Sequence, residues 1–172
     1  MATQLREQLH LEVFDPRYAA TIAQWTETDE QLRWLAPSTH PPLTAEKVIG
    51  WKKPTGDAFL LTRKGDAEPV GYGELNPMRR EVDHLWLGHV VIRPDQRGRG
   101  TGQAFVRALL DHAFDRCCAG RVSLIVFPDN TVAIQCYVRA GFTIIGDEYH
   151  RFGGIGPRYR FLRLGAAKKV SG

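Results

Sequence analysis

Apolar and polar positions change period several times along the chain, and each change marks an element. LHLEVF (9–14) alternates at period two and predicts a first strand. Asp15-Pro16 follows as a helix start, with proline at the first helical position. Ala20, Ile22, Trp25, Leu32 and Leu35 give a loosely amphipathic helical region up to PSTHPP (37–42), which breaks it. TAEKVIGW predicts a short helix capped by Thr44. DAFLLTRK (57–64) and EPVGYGELN (68–76) read as two strands joined at the Gly65-Asp66 turn, and HLWLGHVVI (84–92) as the fourth strand overall.

Helical spacing returns after Gly102, where Phe105, Ala108, Leu109 and Ala113 share a face as far as Arg116. RVSLIVF (121–127) is nearly continuous apolar, as expected of a strand covered on both faces and parallel to a neighbour. Asp129 or Asn130 then caps a helix carrying Ala133, Ile134, Tyr137 and Val138, which ends at Gly141. Two last strands, 142–149 and 158–164, flank YHRFGGIGPR. This order predicts an α+β (α/β-like) domain over residues 1–165 with a mixed sheet, and a flexible tail at 166–172.

Composition narrows the class. The 172 residues are 43% hydrophobic and 24% charged, enough for one domain with a real core. No apolar run approaches a bilayer span and MATQLREQLH lacks a signal-peptide core, so the expectation is a cytoplasmic protein with no membrane partner. Cys117, Cys118 and Cys136 match no zinc spacing and read as small apolar fillers in a reducing compartment; no metal site is expected. The net charge of +4 suits an anionic ligand. Basic residues are dispersed apart from 93–99 and the tail Lys168-Lys169, which argues against a nucleic-acid partner. Oligomeric state is not legible, and a homodimer stays open.

The chemistry concentrates in RPDQRGRGTGQAF, where Gly98, Gly100 and Gly102 alternate among Arg93, Arg97 and Arg99. A helix opening on such a loop exposes unpartnered N–H groups and a partial positive charge, a site for a pyrophosphate-sized anion. Arg97 and Arg99 are placed to add charge-assisted hydrogen bonds. A Walker-type loop fails because no lysine follows Gly102, and the dinucleotide fingerprint fails because the next strand carries no acid. A glycine turn without a ligand remains the alternative.

Arg97-Gly98-Arg99-Gly100-Thr101-Gly102 resembles the Gln/Arg-x-x-Gly-x-Gly/Ala signature of the GNAT superfamily of acyl-CoA-dependent N-acyltransferases. Asn130, Ala133, Tyr137, Gly141 and Phe142 match a second family pattern at the same spacing. The resemblance implies a GNAT-type sheet of about seven strands, mostly antiparallel and twisted, with helices on both faces and a splay between the fourth and fifth strands. It implies acetyl-CoA as co-substrate and, as acceptor, a primary amine of a small molecule or a protein N-terminus, which attacks the thioester directly in a ternary complex. Residues Gly98, Arg99, Gly100, Thr101, Gly102 and Gln103, with Arg97, are then expected at the pyrophosphate, and the backbone of Val90, Val91 and Ile92 at the pantetheine arm. The resemblance also implies that Asn130, Ala133 and Tyr137 contact the cofactor, with Tyr137 the expected general acid for the departing thiolate. Asn130 is equally readable as a helix cap, and Tyr137 as a core aromatic.

The base is less legible. The fifth strand has no acid, so the candidates are Glu74 on the third strand and His89 on the fourth, with His84 and Asp83 at the mouth of the fourth. Histidine titrates near neutrality and suits the role, whereas a strand histidine is also commonly inert. Glu74 shares a face with Tyr72 and Asn76 and reads either as a proton relay or as a solvated residue on an open face. A water chain without a dedicated base is a further option. Trp34, Trp51, Tyr149, His150 and Phe152 are candidate acceptor-slot residues or ordinary aromatics. A non-catalytic acyl-CoA-binding module and an unrelated nucleotide-binding protein are the competing functions.

Overall fold

The computed structural model describes residues 8–152 and 154–169. Strands β1 (Leu9–Val13), β2 (Asp57–Arg63), β3 (Gly71–Pro77), β4 (His84–Ile92), β5 (Arg121–Val126), β6 (Thr143–His150) and β7 (Tyr159–Ala167) form one sheet in the order β1-β2-β3-β4-β5-β7-β6. Helices are α1 (Ala19–Ala23), α2 (Asp29–Leu35), α3 (Ala45–Trp51), α4 (Thr101–Asp115) and α5 (Thr131–Ala140). All neighbouring strands are antiparallel except β4 and β5.

Strand alternation divides the core between two faces. On β2, Phe59 and Leu61 join the cluster beneath α4 and α5, with Phe105, Leu109, Leu124 and Leu164. Ala58 and Leu60 turn to the opposite cluster, where Ile22, Leu32, Val48 and Trp51 come from α1 to α3. Helix α4 approaches β3 closely because Gly71 and Gly73 carry no side chain. A Cβ at Gly71 would lie 3.0 Å from Phe105, 3.1 Å from Ile92 and 3.2 Å from Leu61. Gly71→Val is therefore expected to cost about 1–3 kcal/mol through overpacking, read as a lower urea midpoint with an unchanged slope.

The helical region expected over 16–36 is broken in two. A single 3-10 turn (Pro16–Tyr18) leads into α1, and Thr28, in extended conformation, starts α2 by accepting from the Gln31 amide at 3.2 Å. Gln31 reaches back to the Glu27 amide at 2.8 Å. The pair Thr28 and Gln31 has the spacing of a capping box, the signal that marks this break. The third strand begins at Gly71 rather than residue 68, and β7 runs past residue 165 to Ala167. Lys168 N then donates to Gly120 O at 2.9 Å, so the start of the expected tail is part of the sheet, while 170–172 lie outside the described residues. Cys117 and Cys118 are exposed rather than core fillers, and Cys136 is half-buried; all three are free thiols.

Between β4 and β5 the ladder pairs only His84–Trp86 with Arg121–Ser123. A polar clamp fastens this closed end. His84 Nδ1 donates to Glu81 Oε2 at 2.7 Å, and His84 Nε2 lies 2.7 Å from Ser123 Oγ, which also accepts from Arg163 at 3.3 Å. His84, a candidate at the mouth of the strand, is thus buried and engaged structurally. Beyond Trp86 the two strands part, leaving one edge of β4 open.

Candidate functional site

Two features shape the end of β4. One is a bulge. Tyr72 pairs with Val91 while Glu74 pairs with Gly88, so β4 carries one residue more than β3 across this step. His89 lies in that step with φ of 47°, the left-handed region that few non-glycine residues adopt. The other is the splay, which a bulge promotes by increasing local twist.

Peptide groups along an antiparallel strand alternate between its two edges. Arg93 N donates to Val70 O at 2.9 Å, and two residues back Val91 pairs with Tyr72. Val91 therefore directs its peptide groups to β3, and its side chain is buried in the α1–α3 cluster. Of the three residues expected to offer backbone to the ligand, Val90 and Ile92 face the open edge and Val91 does not. Ile92 O is itself taken by Arg97 Nε at 3.0 Å.

Past β4 the chain turns through Pro94–Gln96 into the glycine loop and α4. Gly98 and Gly100 adopt φ of 71° and 80°, so the alternating glycines serve a left-handed backbone at two of their three positions. Gly102 serves close packing instead: a Cβ there would lie 3.3 Å from Cys136 Sγ and 3.5 Å from Ile92. No side chain caps α4. Among the described residues, the amides of Gly98, Arg99, Gly100, Thr101, Gly102 and Gln103 donate to no protein acceptor; Ala104 is the first that does, to Gly100 O at 3.0 Å. Six consecutive unpartnered donors at a helix start make a cradle of the kind that suits an anion.

The arginines divide unexpectedly. Arg97 was expected to face the anion, yet its guanidinium donates to Glu27 Oε2 at 3.0 Å, to Trp25 O and to Ile92 O. It ties the loop to β4 and to the α1–α2 connection. Arg93 grips Asp95 and Asp66, and that guanidinium, with Gln96, holds the Asp95 carboxyl down to about 2. Arg99 is exposed and makes no hydrogen bond or ion pair with a described residue. Gln103 donates its side chain to Arg139 O at 3.1 Å, capping the end of α5, so only its amide faces the cradle. Thr101 is buried with its hydroxyl unpartnered and likewise contributes its amide.

Glu74 is 1% exposed and surrounded by donors. Tyr72 Oη donates to its Oε1 at 2.7 Å, His89 Nδ1 to the same oxygen at 3.0 Å, and Asn76 Nδ2 to Oε2 at 3.3 Å. Burial pushes the carboxyl pKa up, but the hydrogen bonds from His89, Tyr72 and Asn76 and the charge of His89 outweigh it and hold the carboxyl below its usual range. Burial, then the Glu74 charge, drives the Tyr72 phenol far upward, so it stays a donor. Because Glu74 is an ionised acceptor, His89 Nδ1 keeps its proton in either charge state of the ring, and Nε2 presents a lone pair whenever the ring is neutral. The His89 side chain is 25% exposed. Glu74 is therefore not a solvated residue: the structure joins the two base candidates in one pair.

Helix α5 starts at Asn130, whose Oδ1 accepts from Ala133 N at 3.3 Å, so Asn130 is a cap. Asp129 anchors the same turn to α2, accepting from Arg33 at 2.6 Å and Trp34 Nε1 at 3.1 Å. One helical turn after the half-buried Ala133, Tyr137 packs edge-on against Phe142 with centroids 5.8 Å apart. Its hydroxyl makes no hydrogen bond to another described residue, and burial raises its pKa, keeping the phenol protonated. Of the expected slot aromatics, Trp51 reaches His89, whereas Trp34 serves the Asp129 anchor and Phe152 packs on Tyr159 and Phe161. Tyr149 is exposed, and His150 pairs with Glu148.

The splayed parallel pair, the open β4 edge and the free amides of the glycine loop are the features that the resemblance to the GNAT superfamily implies, and comparison with known proteins identifies the family. The Acetyltransferase (GNAT) family model matches residues 17–142, and the chain belongs to this family. It is similar to the spermine/spermidine N(1)-acetyltransferase of Bacillus subtilis (strain 168), 28% identical over 131 residues, or 74% of this chain and 83% of that protein. The aminoglycoside N(6')-acetyltransferase type 1 of Klebsiella pneumoniae is 21% identical over 159 residues, 83% of this chain and 77% of that one. The fold matches the spermidine N-acetyltransferase from Vibrio cholerae in complex with CoA and spermine, with a TM-score of 0.75 at 17% identity over 94% and 96% of the two chains. The chain is thus a GNAT acetyltransferase with acetyl-CoA as co-substrate. Its own residues fit that co-substrate: the free amides suit a pyrophosphate, and the unpaired β4 edge suits an amide-bearing arm. Among the described residues no helix is long and apolar enough to cross a membrane, and no acidic, histidine or cysteine cluster is arranged to hold a metal ion.

Proposed function

We propose that the chain acetylates a primary amine by direct attack in a ternary complex, with the His89–Glu74 pair as base and Tyr137 as acid. The observation that carries this is the hydrogen bond between a buried, ionised Glu74 and a partly exposed His89 at the bulge that opens β4. Acetyl-CoA, when bound, supplies an acyl carbon with a thiolate leaving group. The amides from Gly98 to Gln103 and the Arg99 guanidinium hold its pyrophosphate. Val90 and Ile92 offer their open-edge N–H groups to the pantetheine arm, and one of them stabilises the charge that develops on the carbonyl oxygen.

His89 Nε2 takes the proton that an arriving ammonium must lose, and Glu74 stabilises the positive ring that results. Tyr137 gives its proton to the leaving sulfur as the C–S bond breaks, and regains one from the second proton that the attacking nitrogen sheds as the amide forms. The acceptor is an amine with further cationic or hydroxyl groups, a chemistry shared by the polyamines and aminoglycosides for which the relatives are named. We place the enzyme in the cytoplasm, where acetyl-CoA is available.

An assay of thiol release from acetyl-CoA over spermidine, spermine, an aminoglycoside and a free amino acid tests this. Turnover is expected with at least one of the first three. In Tyr137→Phe, kcat is expected to fall about tenfold, below the usual general-acid range because a thiolate leaves readily, while calorimetric affinity for CoA holds. CoA binding without turnover on any amine would leave the chain a binding module and overturn the proposal.

A further inference from the structure

We infer that Trp51 is a positioning residue for His89, acting through a stacked pair tethered to the 36–44 loop; the inference rests on the base role proposed for His89. The imidazole and the indole lie nearly parallel, 6° apart in plane, with ring centroids at 4.4 Å. Among the described residues the His89 side chain makes one hydrogen bond, from Nδ1 to Glu74. A single bond fixes one ring atom but lets the ring swing about it, carrying Nε2 through an arc. A flat surface against the ring face removes that freedom, and the stack provides it.

Trp51 is held in turn. It closes α3, is 8% exposed, and donates Nε1–H to Thr39 Oγ1 at 3.0 Å. Tyr72 packs on it at 6.1 Å, and Tyr72 also donates to Glu74. A closed chain results: Thr39 to Trp51, Trp51 to His89, His89 to Glu74, Glu74 to Tyr72 and back to Trp51. Each member restrains the next, and Nε2 is the one hydrogen-bonding atom of the His89 ring left for an acceptor. The strained φ of His89 adds a reason for outside support, since such a backbone persists only where its surroundings enforce it. The titratable groups facing His89 are Glu74, directly, and Tyr72, through the same carboxylate oxygen.

A double-mutant cycle tests the inference. Trp51→Leu, Trp51→Phe, Thr39→Val, His89→Ala and the pairs with His89→Ala are compared by kcat and KM, by the pH profile of kcat/KM, by thermal unfolding and by CoA affinity. Trp51→Leu is expected to lower kcat roughly tenfold and to flatten the pH profile, with KM for acetyl-CoA unchanged. Trp51→Phe, which keeps an aromatic face, retains most of the activity, and Thr39→Val gives an intermediate loss without emptying the core. In the His89→Ala background the same changes at Trp51 and Thr39 cost nothing further, because the group they position is gone. Equal losses with and without His89 would show Trp51 to be packing alone and overturn the inference while sparing the base. An unimpaired His89→Ala enzyme would instead remove the base and the inference together. If Trp51→Leu does not fold, Trp51→Phe and Thr39→Val carry the same comparison.

Discussion

Glu74→Gln is expected to lower kcat/KM for the amine by about 10²- to 10³-fold, with the affinity for CoA unchanged. Glutamine keeps the shape of the side chain and still accepts from Tyr72, so the fold persists. What it loses is the negative charge beside His89 Nδ1, which fixes the tautomer and stabilises the ring once it is protonated. The loss should appear in kcat, since the charge acts while the amine proton is moving. A second reading comes from stability. The folded Glu74 pKa lies below the unfolded value of about 4.3, so its contribution is fully present above that pH and is lost as pH falls through the lower folded value. Wild type should therefore lose this contribution on acidification, and Glu74→Gln should show a smaller fall in unfolding temperature over the same window. A variant with full activity would exclude Glu74 from the proton path.

Gly100→Val is expected to weaken acetyl-CoA binding about 10²-fold, measured by calorimetry, with helix content retained by circular dichroism. Space is not the obstacle, because nothing lies within 4 Å of a Cβ at Gly100. Conformation is. Gly100 is the residue before α4 and holds φ at 80°, a region costly to a β-branched side chain. Relaxing toward negative φ re-aims the amides of Thr101 to Gln103 away from one common point. Each misdirected donor to a charged group costs about 1.5–3 kcal/mol, and each 1.4 kcal/mol is tenfold in affinity. Gly50→Ala is the control: it lies in α3 with open space and an ordinary backbone, and should be neutral or slightly stabilising. Equal CoA affinity in Gly100→Val and wild type would show that the cradle does not depend on this backbone.

The exposed amides of the glycine loop are legible because their cause is local. Glycines, arginines and the helix that follows lie within one short stretch, and backbone donors are placed by neighbouring dihedrals. The element order was legible for the same reason, since periods of two and 3.6 are properties of a few consecutive residues. Pattern and structure part where a short capping signal interrupts a longer period, as at Thr28 and Gln31, or where a side chain finds a distant partner. Arg97 reads as an anion ligand beside three glycines, yet Trp25 and Glu27, far off in the chain, engage its guanidinium. Arg99, two residues on, meets no such partner.

Period two puts Tyr72, Glu74 and Asn76 on one face from the sequence alone, and helical spacing puts Tyr137 on the helix that Asn130 caps. That His89 meets Glu74, with Trp51 laid over it, was decided only in three dimensions. The meeting requires one extra residue in β4 opposite β3, a helix from the first third of the chain above it, and a neighbouring strand that parts after three residue pairs. None of these follows from spacing along one segment. They are set by register and packing between segments, where the free energy belongs to the pair and not to either sequence by itself.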